Sequence, residues 1–175
     1  NFAGDTVRLT KDINLNSGWT PSVNAKGSLL NTPNNQWIPI GENGKDLMQF
    51  NGTFDGQYHV ISGVYVNATT RDAGLFGMTN TKAKIRNLQL SNSYINNSEY
   101  GMTGSIAGTF RGTDLENIYI DDSVTVYGKS AVGGVTGMLT GNISRTVRKC
   151  WFDGKVYATD VQVGGIVGTS WKGTN

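Results

Sequence analysis

The chain of 175 residues is short of the groups from which most active sites are built. It has one cysteine, Cys150, one histidine, His59, and three prolines. A lone cysteine excludes an internal disulfide framework. A lone histidine excludes the H-E-x-x-H helix of zinc peptidases, and there is no G-x-S-x-G nucleophile elbow. Charge is sparse as well: 15 Lys and Arg face 13 Asp and Glu. The basic residues are scattered, so the electrostatic footprint of a nucleic-acid partner is missing. There is no transmembrane run, signal peptide or sorting signal. Ala and Leu are thin, and no 11-residue window keeps a 3.6-residue period, so helices are minor at best.

What the chain has instead is glycine, 24 residues of it, with abundant Asn, Ser and Thr. That mixture suits many turns and short strands. The length fits one domain, residues 1–175, with a core of its own. Secreted proteins without disulfides are common in bacteria, which orients the reading toward a bacterial extracellular protein. The opening NFAGDTVRLT already reads as a strand and VGGIVGTSWKGTN stops in mid-pattern, so a fragment of a longer protein is expected.

Repeats organise the sequence. LFG at 75–77, IAG at 106–108, VTG at 135–137 and IVG at 166–168 place Gly77, Gly108, Gly137 and Gly168 at spacings of 31, 29 and 31. A second series runs in phase: IRNLQLS from Ile85, LENIYID from Leu115 and VRKCWFD from Val147. Extended backwards it takes in ISGVYVN from Ile61 and, more loosely, TKDINLN from Thr10. Stacking these copies gives two apolar columns: Ile13, Val64, Leu88, Ile118, Cys150, and Leu15, Val66, Leu90, Ile120, Phe152. Between them runs Asn14, Tyr65, Gln89, Tyr119, Trp151, expected to point outward by the period-two alternation of a strand. A repeat near 30 residues with three short strands suits a parallel β-helix of about five coils, each burying its apolar side against its neighbours. A β-propeller is the architectural alternative; leucine-rich repeats have another length and signature.

GLFG at 74–77, GSIAG at 104–108, VGGVTG at 132–137 and VGGIVG at 163–168 resemble the GLUG-motif repeats of bacterial surface proteins. DINL…WIPIG…FNGTFDGQYHVISGVYV resembles the segment that precedes such repeats. The resemblance covers nearly the whole chain, with 74–175 as the repeat region. It implies a right-handed, pectate-lyase-like β-helix in proteins exposed on or secreted from bacterial cells, adhesin-like proteins and non-catalytic parts of immunoglobulin A peptidases among them. It implies no catalytic residue, cofactor or metal. It also places a His in a DG-x-x-H-x-I pattern, which His59 matches, and suggests a fixed hydrogen bond where a strand begins.

Few residues could carry chemistry, and each has a structural reading beside the functional one. His59 has Asp55 nearby but no nucleophile, so it reads as structural. Cys150 falls in an inward column, where a thiol behaves as a small hydrophobe. Asp114, Glu116, Asp121, Asp122 and Asp153 are candidates for a glycan-cleaving pair, with Arg148 or Lys149 as the base of a lyase. Asp121 and Asp153 would stack on adjacent coils, yet turns after strands also require Asp, Asn and Ser. Arg86, Glu116 and Arg148 form a column of alternating charge, and Asn87 and Asn117 a short asparagine ladder that Lys149 interrupts; both support register. Tyr65, Tyr119 and Trp151 are expected on one outward face able to stack on sugar rings. The spacing from Ile13 to Val64 is 51 residues against 24 to 32 elsewhere, so 17–36 is expected to protrude as a loop. Its Trp19 either caps the open end of the helix or binds a ligand.

The sequence is therefore read as a non-catalytic β-helix module, extracellular, for adhesion or for binding a glycan or a host surface protein. Further coils or domains of the same chain are its other expected partners; nucleic acid and membrane insertion are not. A structural spacer and a polysaccharide lyase or glycoside hydrolase are the alternatives.

Overall fold

The computed structural model describes residues 2–41, 45 and 48–172, so the last three residues of the 74–175 repeat region lie outside the described part. The named strands pair in parallel and stack into four ladders, a β-solenoid of about four turns. The first ladder holds the long strands Lys84–Ser91, Asp114–Ile120 and Thr146–Phe152, preceded by Thr53–Asp55 with Val60–Ser62, and by Thr6–Arg8 with Ile13–Asn14. The second holds Tyr65–Asn67, Tyr94–Asn97, Thr125–Gly128 and Lys155–Ala158. The third is made of Asp72–Ala73, Met102–Gly104, Val132–Gly133 and Val163–Gly164, and the fourth of Phe76–Met78, Ala107–Phe110, Thr136–Thr140 and Val167–Trp171.

Four ladders replace the three short strands per coil expected from the sequence. The glycine-centred motif that reads as one strand is two, folded at a corner such as Ser105-Ile106 between Met102–Gly104 and Ala107–Phe110. The repeating glycines explain how two backbones can lie this close. A Cβ on Gly137 would sit 2.4 Å from the Thr103 amide nitrogen, on the preceding turn, and 2.5 Å from the Ala131 carbonyl oxygen, on its own. Gly108 meets the Ala73 nitrogen at 2.5 Å in the same way, and Gly168 the Val132 nitrogen at 2.6 Å. Gly108, Gly137 and Gly168 thus seat the fourth ladder against the third of the turn before, where any side chain would force the layers apart, and Gly77 meets the Gly41 carbonyl oxygen at 2.4 Å instead.

Inside the first ladder the alternation holds. Leu88, Ile118 and Cys150 pair across adjacent strands, as do Leu90, Ile120 and Phe152. Leu88, Leu90, Ile118 and Ile120 are buried, each side chain contributing about 1.5–3 kcal/mol. Phe50, Phe54 and Phe76 fill the core nearer the N-terminus, with ring centroids 5.2–6.4 Å apart. At the other end the inward residues Val147, Cys150, Phe152, Val156 and Ile166 are only partly buried, because no strand pairs beyond them among the described residues.

One register differs from the sequence reading. The strand that continues the long-strand series upstream is Val60–Ser62, not Tyr65–Asn67: Ile61 pairs with both Ile13 and Leu90, and Val60 with Gln89. Tyr65 and Val66 lie on the second ladder, opposite Tyr94 and Ile95. Val64 and Val66 are fully buried but face the core from that other side. Two apolar stretches stand three residues apart here, and alternation alone fits either.

A fixed kink interrupts every long strand. Asn87, Asn117 and Lys149 occupy equivalent places with φ of 54°, 53° and 52°, the left-handed region that Asn tolerates better than other residues. Asn117 donates from its side-chain amide to Asn87 Oδ1 at 2.8 Å, and Asn87 donates to Asp55 Oδ1 at 3.0 Å. The asparagine ladder thus extends to a carboxylate. Beside it Asp55, Arg86, Glu116 and Arg148 are in register, with Asp55 paired to Arg86 at 3.1 Å and Glu116 to Arg148.

Candidate functional site

Because successive levels of a ladder stand about 4.8 Å apart, outward residues of equal register form a wall of evenly spaced side chains. On the first ladder that wall is Val60, Gln89, Tyr119 and Trp151. Tyr119 is 42% exposed and Trp151 61%. They stand on adjacent levels beside an open concavity of about 420 Å³ that Tyr58, Gln89, Asn117 and Lys149 also line. The indole of Trp151 is oriented by its Nε1, which donates to Asp153 Oδ1 at 2.7 Å. The Tyr119 hydroxyl is held above its ordinary pKa, by desolvation first and then by the carboxylates of Asp153, Asp121 and Asp122.

Tyr58 is the residue that the sequence reading missed. Four residues, Gly56 to His59, stand opposite only two, Asn87 and Leu88, of the next strand. The surplus is taken up by Gln57 and Tyr58 at φ of 51° and 64°, and the Tyr58 ring is left exposed at the rim of the concavity. The signal was the 24-residue step from Val64 to Leu88, shorter than every other. Pairing Ile61 with Leu90 restores a spacing of 29 and brings Tyr58 to this face.

Tyr65 does not belong to the wall; it faces outward from the second ladder. The segment 17–36, expected to protrude, folds back over that surface. Trp19 meets the Tyr65 ring edge-on at 6.1 Å and donates from Nε1 to the Asn31 carbonyl at 2.8 Å. The Tyr94 hydroxyl donates to the Gly27 carbonyl at 3.0 Å. Gly27, at φ 86°, lies so close to Tyr157 that a Cβ would reach its ring. Burial under this strap pushes the Tyr94 pKa up to about 12. Trp19 also borders a polar hollow of about 270 Å³ with Asn16, Asn34 and Asn35. The four candidate residues therefore separate into two pairs, Tyr119 with Trp151 and Trp19 with Tyr65.

The other candidates are engaged locally. His59 Nδ1 lies 2.9 Å from Asp12 Oδ1, which also accepts from the Val60 backbone amide at 3.0 Å; the partner is Asp12 and not Asp55. The Asp12 carboxyl is held below its ordinary value by the Val60 amide and then by His59. Asp55 accepts from the Gln57 amide, Asn87 and Arg86. Burial pushes its carboxyl up, and these donors outweigh that, leaving the pKa below the ordinary value. Asp121 accepts from the backbone amide and the hydroxyl of Ser123 in the turn after its strand. Asp114 pairs with Lys84 at 3.1 Å. Burial raises the Cys150 thiol, as expected of an inward residue. No group of three His, Cys, Asp or Glu able to hold a metal ion occurs among the described residues.

The class defined by this architecture is a parallel β-solenoid that presents an aromatic groove on one ladder and a strapped tyrosine surface on the next. Neither a protein family nor a solved structure matches the chain. It is similar to "Halomucin" of Haloquadratum walsbyi, 31% identical over 134 residues, which make up 76% of this chain and 1% of that protein. It is also similar to a "Putative Gly-rich membrane protein" of Evansella cellulosilytica, 32% identical over 87 residues, 49% of this chain and 10% of that protein. The chain thus corresponds to a small part of either relative.

Proposed function

We propose that this chain is a non-catalytic β-helix module of a cell-surface or secreted protein, which displays the Tyr119/Trp151 groove to a glycan. The observation that carries this reading is the pair of exposed rings on adjacent levels, flanked by Gln89, Asn117 and Lys149. Flat apolar faces beside amide and ammonium donors suit the C–H faces and hydroxyls of a sugar. A wall held by parallel ladders loses little conformational entropy on binding. The coils wind right-handed and the glycine series is of the GLUG type; the close approach at Gly108, Gly137 and Gly168 supports that reading by giving each motif glycine an architectural task. The names of the two relatives, a mucin and a membrane protein, support a place at the cell surface.

The test is a glycan and extracellular-matrix protein screen with the wild-type chain and a Tyr119→Ala/Trp151→Ala variant. Removing both rings is expected to cost at least 2 kcal/mol, roughly thirtyfold in affinity, with the far-ultraviolet circular dichroism unchanged. A variant that folds and binds as the wild type does would reject the groove.

A second reading, the spacer, is favoured by the incompletely covered inward residues Val147, Phe152, Val156 and Ile166 of the last turn. Such an edge suits stacking against further β-structure. Silence across the binding screen, together with association in sedimentation experiments that rises with concentration, would select it.

A further inference from the structure

The side chains of the Tyr119/Trp151 groove are related by a translation that a ligand can share. Gln89, Tyr119 and Trp151 hold one register position on three adjacent levels of the first ladder. The kink residues Asn87, Asn117 and Lys149 hold another, two residues earlier on each strand. Both columns contribute to the lining, so the groove repeats along the solenoid axis about every 4.8 Å. Tyr58 extends it by one level toward the N-terminus. Its backbone amide donates to the Asn87 carbonyl at 2.7 Å, and its ring is 64% exposed at the rim. From the level of Tyr58 to that of Trp151 is three steps, roughly 14 Å.

Charge narrows the ligand. Lys149 is the one charged residue of the lining, and the carboxylates of Asp121, Asp122 and Asp153 act on Tyr119 from close by. One ammonium beside three carboxylates gives no cationic field to hold a polyanion. The remaining polar groups are uncharged. Asn117 donates to Asn87 at 2.8 Å, and because Lys149 interrupts the ladder no asparagine of the next level donates to Asn117 Oδ1, which is left to accept from a hydroxyl. Rigidity narrows it again. Trp151 is tethered through Nε1 to Asp153 and Tyr119 stands on a paired strand, so neither ring is placed to follow a ligand that coils away from the axis.

We propose that the groove takes a neutral, unbranched glycan lying along the solenoid axis, one sugar per level, of the ribbon type whose pyranose rings are joined through equatorial bonds at opposite ends of each ring. The inference rests on the glycan reading of the groove and names the class of glycan. In a ribbon of this kind the advance per sugar is close to one level of the ladder. Successive rings then meet Trp151, Tyr119, Gln89 and Tyr58 in turn, with flat C–H faces on the aromatic residues and hydroxyls on the amides. A chain of α-1,4-linked glucose has an axial bond at each link, so it curves and leaves the line of levels. A straight chain on a fixed row needs no rearrangement of either partner.

The experiment titrates the full chain, by calorimetry, with β-1,4-linked oligomers of glucose, mannose or N-acetylglucosamine from one sugar to six, and with α-1,4-linked glucose oligomers of the same lengths. At least one β-linked series is expected to gain affinity with each sugar up to four and little beyond. Its tetramer should bind at least tenfold more tightly than the α-linked tetramer, which has the same sugar as the glucose series and differs only in linkage. Tyr58→Ala should weaken the tetramer several-fold more than the dimer, since two sugars are served by Trp151 and Tyr119. Unchanged thermal unfolding establishes that the variant is intact. The proposal is overturned if no β-linked series binds, if the α-linked tetramer binds as tightly, if affinity does not depend on length, or if Tyr58→Ala costs dimer and tetramer equally. The glycan reading of the groove fails on a different result, binding that is indifferent to Tyr119→Ala/Trp151→Ala. A branched or coiled glycan that binds and is lost in that variant keeps the groove and rejects the axial ribbon.

Discussion

Replacing Gly137 by alanine tests the packing on which the architecture rests. The added Cβ meets the Thr103 nitrogen at 2.4 Å and the Ala131 oxygen at 2.5 Å, with the Gly108 oxygen at 2.8 Å. All three are backbone atoms held in ladders, so no side chain can rotate away. Relief requires the third and fourth ladders to separate by about 1 Å, which strains the neighbouring hydrogen bonds from Thr136 and Val135 to the Ile166 carbonyl. The top of the overpacking range applies, about 3 kcal/mol. For a chain of this size that lowers Tm by about 6–12 °C. The urea midpoint falls by about 1.5 M, taking m as about 2 kcal/mol/M. Gly165→Ala is the matched control, since Gly165 stands in the same motif, has a φ any residue adopts, and would place its Cβ in open space. It should change stability by less than 0.5 kcal/mol or so. Equilibrium urea unfolding followed by circular dichroism measures both. Gly137→Ala within 0.5 kcal/mol or so of wild type at unchanged m would refute the close-approach account of the repeat.

Three further perturbations follow from the same structure. Asn117→Ala should destabilise more than Asn117→Gly, by about 1 kcal/mol, since both lose the bond to Asn87 but only alanine is strained at φ 53°; the reverse order in urea unfolding would contradict the kink. The Asp55 carboxyl, held below its ordinary 3.8, contributes stability that is fully present above that value and is lost as the pH falls through its lowered folded pKa. The stability gap between wild type and Asp55→Asn should therefore narrow below about pH 4; a gap independent of pH would show that the carboxylate gains nothing from Asn87, Gln57 and Arg86. Tyr94→Phe removes the hydroxyl that ties the strap to the Gly27 carbonyl, about 1 kcal/mol, and should speed tryptic cleavage at the exposed Lys26 roughly fivefold. Equal cleavage rates would show that the Tyr94 hydroxyl does not hold the strap in place.

The parallel β-solenoid was legible because its cause is local and repeated. Gly77, Gly108, Gly137 and Gly168 mark each turn, and the alternation in IRNLQLS and LENIYID names the inward face without reference to any distant residue. The adjacency of Tyr119 and Trp151, the inward place of Cys150, the asparagine ladder and the pairing of Arg148 with Glu116 all followed from that period. The position of Tyr65 did not, because Ile61 and Val66 are both apolar and a strand can be indexed from either. Which one pairs with Leu90 is decided by the two extra residues at Gln57 and Tyr58, whose positive φ leaves no trace in a hydrophobic pattern. The fold of the glycine motif into two ladders was hidden for a similar reason, since a corner at Ser105-Ile106 interrupts the backbone but not the spacing of glycines. Where 17–36 lies depends on contacts between residues far apart in the chain: Gly27 on Tyr157, the Tyr94 hydroxyl on the Gly27 carbonyl, Trp19 on Tyr65. Periodicity fixes what recurs at each level of a stack, while loops and corners are placed by surfaces that exist only once the stack has formed.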